Sequence, residues 1–286
     1  MFSSDQIETY RAQGYMFAPK LLTANWLRLL ETAFQKNLDN PSPWAGEYQR
    51  KGGRFFTDNS NFSVIQEMQD VLYDSPIVDA MAELMEADRV WLYYDQIFFK
   101  EGEAVRTGWH QDIPYYVMDY TDQVTGAWIS LDPLPANMAL EVVPRSHRGP
   151  MYNPVNPKKP TEGFFDVGNP PVPDIEADRG DWEIVSFETD PGDVLFIHPQ
   201  LLHGGAPMVN GQQRRTVTLN VFGPEARFCP RPEGHAPTFP GLEEVIEAGE
   251  PLWHAADKGF FHQLRPVPEQ RLGARDRHDM MHGRAA

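Results

Sequence analysis

The chain has 286 residues, a formal net charge of −16 and one cysteine, Cys229. The acidic balance argues against a nucleic-acid partner, which requires a basic footprint, and against adhesion to an anionic membrane surface. The single cysteine excludes an intramolecular disulfide and a thiolate metal cluster. With no signal-peptide pattern and no run of about 18 apolar residues, the sequence favours a cytoplasmic location and predicts no membrane partner.

The first 88 residues are predicted to be largely helical. Thr23 is a candidate N-cap, and the apolar residues that follow recur at helical spacing. Those apolar residues are Leu27, Leu30, Phe34 and Leu38. A further helix is expected to begin at Ser75 and Pro76, because proline is favoured at the first helical position. We expect these helices to pack one face against a larger body.

From Arg89 onward the hydrophobic pattern alternates, which is typical of β-strands. The predicted strands span residues 89–100, 127–131, 140–143, 182–187, 194–198 and 214–222. No long helix separates them, so a parallel βαβ array is excluded. The sequence therefore predicts a mainly β protein with flanking helices, in the form of a double-stranded β-helix (a jelly-roll or cupin-type barrel).

We expect one domain over residues 1–265, with the barrel in 89–225 and a C-terminal extension in 226–265. Residues 150–181 are rich in proline and acidic side chains and have little periodicity. A loop of this length is usually functional or disordered, so it is interpreted as a lid-like insertion, with plain disorder as the alternative. Residues 266–286 are expected to form a flexible tail.

The segment that carries chemistry is Trp109-His110-Gln111-Asp112. Residues two apart on a strand point to one face, so His110 and Asp112 are expected to aim an imidazole and a carboxylate at one point. These are two of the three ligands of a 2-His-1-carboxylate site, which binds iron(II) and leaves positions open. The third ligand is expected to be His203, which follows a strand and precedes two glycines. His198, inside that strand, is the competing choice.

The strand of residues 214–222 has one polar and one apolar face. The polar face suits a barrel interior that holds a ligand, and it carries Arg214, Thr216, Thr218 and Asn220. Arg214 can bind a carboxylate through its guanidinium fork, helped by the hydroxyl of Thr216. A surface salt bridge is the alternative interpretation of Arg214.

At this point the chain resembles the phytanoyl-CoA dioxygenase family of iron(II)- and 2-oxoglutarate-dependent oxygenases. The resemblance rests on ordered pieces that together cover roughly residues 5–225. These pieces are residues 10–17, 96–100, 108–112, 128–132, 137–147 and 191–204, followed by Arg214. The chain departs from the family pattern at Asn137-Met138 and Pro144-Arg145, which is expected to alter loops rather than the metal ligands.

The resemblance implies that His110, Asp112 and His203 bind iron, and that Arg214 with Thr216 binds the distal carboxylate of 2-oxoglutarate. Dioxygen is the further cosubstrate. Oxidative decarboxylation to succinate and carbon dioxide would accompany hydroxylation of an unactivated C–H bond. Because Asp112 is a carboxylate, where related halogenases carry a small residue, hydroxylation is favoured over halogenation.

Lys100 and Trp128 lie where members of the family contact the cosubstrate, and Gln96 shares a strand face with Lys100. The alternatives are an edge-strand polar pair for Gln96 and Lys100 and core packing for Trp128. Three aromatic residues near the metal motif are expected to form substrate walls, with core packing as the alternative. These are Trp109, Tyr115 and Tyr116.

Hydroxylation of a small molecule is therefore the predicted function. A cupin-like metal-binding protein without turnover and an oxygenase that modifies a peptide are the alternatives. No basic cluster that could bind the phosphates of an acyl-CoA is found in the sequence, and the oligomeric state is not predicted.

Overall fold

The computed structural model describes residues 1–50, 52–156, 159–208, 211–231 and 237–272. Within these ranges the α-helices all precede the long central strand. They are α1 (Ser4–Gln13), α2 (Ala24–Asp39), α3 (Gln66–Asp74) and α4 (Ile77–Met85). Thr23 is the N-cap residue of α2, as predicted. Helix α4 begins one residue later than predicted, with Pro76 at the N-cap, and α3 was not predicted.

Thirteen β-strands are found in the described ranges. They are β1 (Tyr15–Ala18), β2 (Gly46–Arg50), β3 (Gly53–Asn59), β4 (Val90–Gly102), β5 (Val124–Ser130), β6 (Leu140–Val142), β7 (Val155–Asn156), β8 (Lys159–Gly163), β9 (Val185–Ser186), β10 (Val194–Ile197), β11 (His203–Gly205), β12 (Gln213–Phe222) and β13 (His262–Arg265). The alternating segments therefore do form strands, although residues 182–187 contribute only the two-residue β9.

The strands form a large and a small antiparallel sheet. The large sheet has the order β1-β10-β5-β12-β4-β3-β2, and β13 also pairs with β4. The small sheet has the order β11-β6-β9, and β7 pairs with β8 as a separate hairpin. The prediction of a mainly β protein with flanking helices is confirmed. The sheets are not closed into a continuous barrel, because β1 and β2 end the large sheet without pairing with each other.

The two faces of the large sheet bury different partners. One face packs against the helices, with Leu30, Met68 and Met81 in the same apolar cluster as Val217 and Leu219. The other face turns toward the small sheet. There, the apolar cluster that joins the two sheets includes Trp128, Leu195, Leu140 and Val142. Strand alternation separates the two clusters, since neighbouring residues of one strand point to opposite faces.

Residues outside the predicted barrel range of 89–225 also enter the large sheet. Strands β2 and β3, which were not predicted, form a hairpin whose second strand pairs with β4. In the predicted tail, Arg271 forms an ion pair with Asp74 and lies over the ring of Tyr73. Residues 273–286 of that tail lie outside the described ranges.

Described residues of the lid-like insertion 150–181 pack beside the segment that carries the metal motif. Ile175 is fully buried in a cluster with Trp109, Val143 and Leu202. Farther along, the Arg179 guanidinium donates to Glu141 on β6 at 2.6 Å. In the described parts of the chain, no helix has the length and apolar character needed to cross a bilayer.

Candidate metal centre and adjoining cavity

His110 and His203 are brought side by side by their own backbones. Each residue donates its N–H to the carbonyl oxygen of the other at 2.9 Å, in an isolated antiparallel bridge. Residues that are directly opposite in such a pair project their side chains to the same face. The two imidazole rings accordingly lie 4.2 Å apart, centroid to centroid.

Asp112 completes the cluster from a different backbone conformation than predicted. Its φ of −85° and ψ of −35° are helical, and it precedes the 3₁₀ turn Ile113–Tyr115. The strand argument for Asp112 was therefore wrong, because the chain turns where its N–H donates to the carbonyl of Pro199 at 2.6 Å. The carboxylate nevertheless reaches the histidines. Oδ1 lies 3.4 Å from His110 Nε2 and 3.6 Å from His203 Nε2.

The donor set fits a divalent metal ion. One ligand atom from each of the three residues lies within 4.8 Å of the others. Nδ1 of His110 lies 2.8 Å from the carbonyl oxygen of Gly108, and Nδ1 of His203 lies 2.8 Å from that of Leu201. A carbonyl accepts only, so each Nδ1 carries the proton and donates it. The Nε2 atoms of both rings are therefore the ones that face the carboxylate.

The charges of Asp112 and His203 match this interpretation. Burial opposes protonation of His110, but its contact with the Asp112 carboxylate outweighs burial and raises the pKa of His110. Burial opposes ionisation of Asp112, but the neighbouring His203 and His110 outweigh it and lower the pKa of the carboxyl. Burial and the adjacent His110 lower the pKa of His203 to about 4. Asp112 is thus anionic and His203 neutral near neutral pH, which are the forms that bind a metal.

His198, the competing candidate, lies away from this cluster. Its Nε2 lies 2.9 Å from the carbonyl oxygen of Thr121, and its Nδ1 accepts from the N–H of Gln200 at 3.0 Å. Both ring nitrogens are therefore occupied by the backbone. Burial lowers the pKa of His198 to about 4, so it is a neutral histidine of the protein interior.

A cavity of about 390 Å³ opens beside the three clustered residues. Its floor is one face of β3, β4, β12 and β5, and the strand register explains why. Arg214 lies opposite Lys100, Thr216 opposite Phe98, and Thr218 opposite Gln96. The cavity lining from these strands includes the whole predicted polar face of β12, namely Arg214, Thr216, Thr218 and Asn220.

One end of the cavity is cationic. We call it the cationic end and define it by Lys100, Thr107, Gly205 and Arg214. Lys100 Nζ donates to Thr107 Oγ1 at 2.8 Å and to the carbonyl oxygen of Val105 at 3.0 Å. A side chain at Gly205 would place its Cβ 3.0 Å from Arg214 Nη2 and 3.2 Å from Thr107 Oγ1. These residues therefore enclose one small space.

The two cations of this end have no carboxylate partner among the described residues. Lys100 is 1% exposed and Arg214 is 5% exposed. Burial, then the charges of Arg214 and Arg106, lower the pKa of Lys100 well below its ordinary value. Burial likewise lowers the pKa of Arg214 to about 10. Buried charges are normally paired, so this end of the cavity has the electrostatics of an anion site.

The remainder of the cavity is lined mainly by aromatic and neutral polar side chains. We call it the aromatic chamber and define it by Trp44, Phe55, Tyr94, Gln96, Phe98, Tyr115, Tyr116 and Asn156. Burial, followed by the charge of Asp112, raises the pKa of both Tyr94 and Tyr116 well above the ordinary value. These phenols therefore stay protonated at physiological pH.

The predicted cosubstrate residues Lys100, Trp128, Arg214, Thr216 and Gln96 all line the cavity. Gln96 lies in the aromatic chamber, away from the cationic end, and its side-chain amide donates to Thr57 Oγ1 at 2.8 Å. Gln96 lies on the same strand face as Lys100, as predicted, but the four-residue separation along β4 places it about 13 Å from Lys100.

Of the predicted substrate walls, Tyr115 and Tyr116 line the cavity, and Trp109 does not. Trp109 neighbours His110 in an extended stretch, so its side chain points to the opposite side. Its indole N–H donates to Glu176 Oε1 at 2.7 Å, beneath the lid-like insertion. The expectation that Trp109 contacts substrate is therefore corrected, and the residue instead packs against residues 150–181.

Two groups of cavity residues were missed. Tyr94 and Phe98 share their strand parity with Lys100, so the alternation of β4 contained the signal needed to find them. Phe55 and Trp44 come from the region of β2 and β3, two strands that were not predicted.

Comparisons with known proteins agree with this architecture. The family model described as phytanoyl-CoA dioxygenase matches residues 10–216. The probable phytanoyl-CoA dioxygenase of Caenorhabditis elegans is 32% identical over 104 residues, which are 36% of this chain and 32% of that protein. The match thus spans about a third of the relative's length.

Two of the solved structures that share the fold illustrate the likeness. The α-ketoglutarate-dependent epimerase SnoN from nogalamycin biosynthesis has a TM-score of 0.70 at 18% identity, covering 91% of this chain and 98% of that one. EctD from S. alaskensis, solved with 2-oxoglutarate and 5-hydroxyectoine, has a TM-score of 0.63 at 19% identity, covering 87% and 85%. The predicted jelly-roll class is confirmed by this likeness. Because the family model matches most of its length, the chain belongs to the phytanoyl-CoA dioxygenase family.

Proposed function

We propose that this chain is an iron(II)- and 2-oxoglutarate-dependent dioxygenase that hydroxylates a small molecule. The observation that carries the proposal is the adjacency of two sites in one cavity. A His-Asp-His cluster whose ligand atoms converge lies beside two buried cations that have no carboxylate partner in the described ranges. A metal ion fits the first site, and the carboxylate of a cosubstrate fits the second.

In this proposal His110, Asp112 and His203 hold iron(II), and Arg214 with Lys100 binds the distal carboxylate of 2-oxoglutarate. The Nδ1 hydrogen bonds of the histidines fix the ring orientation, as outer-shell partners do in metal sites. When bound, iron, 2-oxoglutarate and dioxygen supply an oxidation in which one oxygen atom enters a substrate C–H bond, and the other enters succinate as carbon dioxide is released.

The protein's own task is to orient these groups and to exclude water. Trp128 is 6% exposed, and it lines the cavity together with Leu140 and Ala104. Apolar walls around a charged site strengthen the electrostatic attraction inside it. Val155 and Asn156, near the start of the lid-like insertion, line the cavity, so this part of the insertion is proposed to cover it.

The substrate portion that enters the aromatic chamber is proposed to be uncharged. Arg54, a cation at this side, is already paired with Glu47 at 3.0 Å. Asp58, a carboxylate at this side, already accepts from Asn37 and Ser42. Among the described residues, a charged substrate group would therefore lose its hydration here without gaining an unengaged counter-ion. Aromatic walls favour a flat or apolar molecule, and the amides of Gln96 and Asn156 can bind its hydroxyl or carbonyl groups. An acyl-CoA is disfavoured for the same reason, since the described cations that line this part of the cavity, Arg54 and Arg106, already pair with carboxylates of the chain.

Succinate formation by the iron(II)-loaded protein with 2-oxoglutarate and oxygen tests the proposal. His110→Ala is expected to abolish it, because a ligand is lost. Arg214→Ala is expected to raise the 2-oxoglutarate requirement, since truncating one member of a buried charge pair costs about 2–5 kcal/mol. Arg215→Ala is the matched control, because Arg215 points to the other face and pairs with Asp132 at 2.7 Å.

Equal 2-oxoglutarate requirements in Arg214→Ala and Arg215→Ala would contradict the assigned cosubstrate site. Metal binding by the wild type with no turnover and no 2-oxoglutarate binding would favour the alternative of a metal-binding protein without oxygenase activity. Succinate release that depends on added peptide would favour a peptide-modifying oxygenase. A cytoplasmic location and the absence of a nucleic-acid partner stay predictions of the sequence.

A further inference from the structure

Two tyrosine hydroxyls connect the aromatic chamber to the carboxylate of the candidate metal centre. Tyr116 Oη lies 3.4 Å from Asp112 Oδ2, and Tyr94 Oη lies 3.3 Å from Tyr116 Oη. Asp112 contacts the two histidines through its other oxygen, Oδ1. The two oxygens of one carboxylate thus have different partners, with histidines on one side and a phenol on the other.

The direction of these hydrogen bonds follows from the proton inventory. A phenol has a single hydrogen to donate, and an ionised carboxylate can only accept. Tyr116 therefore donates to Oδ2 of Asp112, and Tyr94 donates to the oxygen of Tyr116. Both contacts are longer than the usual 2.7–2.8 Å or so, which makes each one weak by itself. Their importance lies in the orientation that they impose on the carboxylate.

Tyr116 is held firmly enough to impose an orientation. It is 1% exposed, and its ring packs on that of Tyr93 with centroids 4.5 Å apart. Its N–H donates to the carbonyl of Ile113 at 3.0 Å, and its own carbonyl accepts from Arg231 Nε at 3.0 Å. The hydrogen bonds fix the backbone of Tyr116, and the hydroxyl cannot swing away from Asp112 without disturbing the packing of its buried ring.

We propose that Tyr116, supported by Tyr94, is a positioning residue that holds Oδ2 of Asp112 so that Oδ1 alone faces the metal. The inference rests on the proposed function, because it assigns a role toward the metal that this function requires. A carboxylate that binds through one oxygen leaves positions free for a bidentate cosubstrate and for oxygen. Without the Tyr116 hydroxyl, the carboxylate is free to rotate and to occupy a further position with Oδ2.

Cobalt(II) is a suitable probe, because its visible absorption reports coordination number without any turnover. We would titrate the full chain with cobalt(II) and compare wild type, Tyr116→Phe and Tyr94→Phe. Tyr116→Phe is expected to bind about tenfold more weakly, at the lower end of the range for outer-shell mutations, and to change the absorption spectrum. Tyr94→Phe is expected to show a smaller change in the same direction.

Two neighbouring tyrosines provide matched controls. Tyr115 lines the same cavity, but its hydroxyl donates to the carbonyl of Val155. Tyr115→Phe is therefore expected to keep the wild-type cobalt affinity and spectrum. The hydroxyl of Tyr93 accepts from the N–H of Val117 at 2.9 Å. Tyr93→Phe is expected to lower the melting temperature, because a buried N–H loses its partner, while cobalt binding is retained.

A wild-type affinity and spectrum in Tyr116→Phe would overturn the inference. So would equal losses of affinity in Tyr116→Phe and Tyr93→Phe that follow their losses of stability, because that result indicates a purely structural role. Wild-type protein that binds no cobalt would overturn the proposed function, and the inference with it. Wild-type binding with an unaffected Tyr116→Phe would overturn the inference alone.

Discussion

Lys100 and Arg214 lie directly opposite each other on the paired strands β4 and β12, and both side chains are almost fully buried. Like charges in directly opposed positions destabilise a sheet. In the described residues no carboxylate pairs with either of them. The repulsion between these two charges therefore destabilises the ligand-free chain. Binding of an anion, such as the proposed 2-oxoglutarate carboxylate, would compensate both charges.

We first predict opposite effects of Lys100→Met on stability and on cosubstrate binding. Methionine fills a similar volume without the charge, so the ligand-free variant is expected to melt at a higher temperature than the wild type. Its affinity for 2-oxoglutarate should fall by about 2–4 kcal/mol, roughly 30-fold to 900-fold. Thermal denaturation and calorimetric titration measure the two quantities.

Lys36→Met is the control for this experiment. Lys36 is exposed and pairs with Glu67 at 2.6 Å, far from the cavity. It should change neither the 2-oxoglutarate affinity nor the melting temperature appreciably. A Lys100→Met variant that loses stability and keeps its affinity would contradict the assigned role of Lys100.

The second prediction concerns pH. Burial and the nearby arginines lower the pKa of Lys100, so Lys100 loses its charge at a lower pH than a free lysine. The affinity for 2-oxoglutarate should therefore decrease as pH rises through this lowered pKa. The same profile measured with Lys100→Met should be flat over that range. An identical alkaline decrease in the variant would assign the effect to another group.

The stability of the ligand-free chain should change with pH in the opposite sense. Between the lowered pKa and the ordinary value near 10.4, the unfolded chain binds more protons at Lys100 than the folded chain does. Stability increases with pH wherever this is so. The unfavourable contribution of Lys100 is therefore fully present below its lowered pKa and is relieved as pH rises through that window.

The third prediction concerns Gln111, which lies between His110 and Asp112 in the sequence. Its side-chain amide donates to the carbonyl oxygens of Gln200 at 2.8 Å and Pro150 at 3.1 Å, and its oxygen accepts from the N–H of Tyr152 at 2.8 Å. Gln111→Ala leaves these buried groups unpaired, and we expect it to cost about 2–4 kcal/mol in urea denaturation.

Gln35→Ala is the matched control for Gln111→Ala. Its side chain makes one exposed contact, with Asp39, so the change should stay within about 0.5 kcal/mol. If Gln111→Ala unfolded at the same urea concentration as Gln35→Ala, the three contacts would not be important for stability. The lid-like insertion would then be held to the segment of residues 109–112 mainly by apolar packing.

Prediction from the sequence was most successful where the alternation of a strand separates polar from apolar side chains. The alternation of residues 214–222 predicted which side of β12 faces the cavity, because burial of Val217 and Leu219 forces Arg214 and Thr216 to the other side. For His203, the decisive fact is a long-range backbone bridge to His110. Local pattern cannot show such a bridge. His203 was preferred to His198 because it follows a strand and precedes two glycines, and the family resemblance indicated the same residue.

The failures have physical reasons as well. Asp112 was expected on a strand, but a hydrogen bond to Pro199, distant in sequence, bends the chain into a turn. Trp109 was expected at the substrate because it is aromatic and adjacent to His110, whereas parity turns it toward Glu176. Strands β2 and β3 are short and partly exposed, so their apolar pattern is weak, and with them the walls formed by Phe55 and Trp44 were missed.

A network of ion pairs centred on Glu141 connects the lid-like insertion to β6 and to Arg106. Glu141 accepts from Arg106, which lines the cavity, and from Arg179 of the insertion. Both arginines also pair with Glu176, at 2.9 Å and 2.8 Å. Glu141 is 8% exposed, so its pairs are less screened than ordinary surface pairs.

The fourth prediction is that Glu141→Gln loosens residues 164–181. Two arginines lose part of their compensating charge, and because Arg179 is substantially exposed we expect the free energy of unfolding to fall by only about 1 kcal/mol. Amide hydrogen exchange in this segment should become faster, while the protection of β12 stays unchanged. Glu183→Gln is the control, because its pair with Arg145 is exposed on both sides. Equal exchange in the two variants would mean that Ile175 and its apolar neighbours hold the insertion in place, with the charges contributing little.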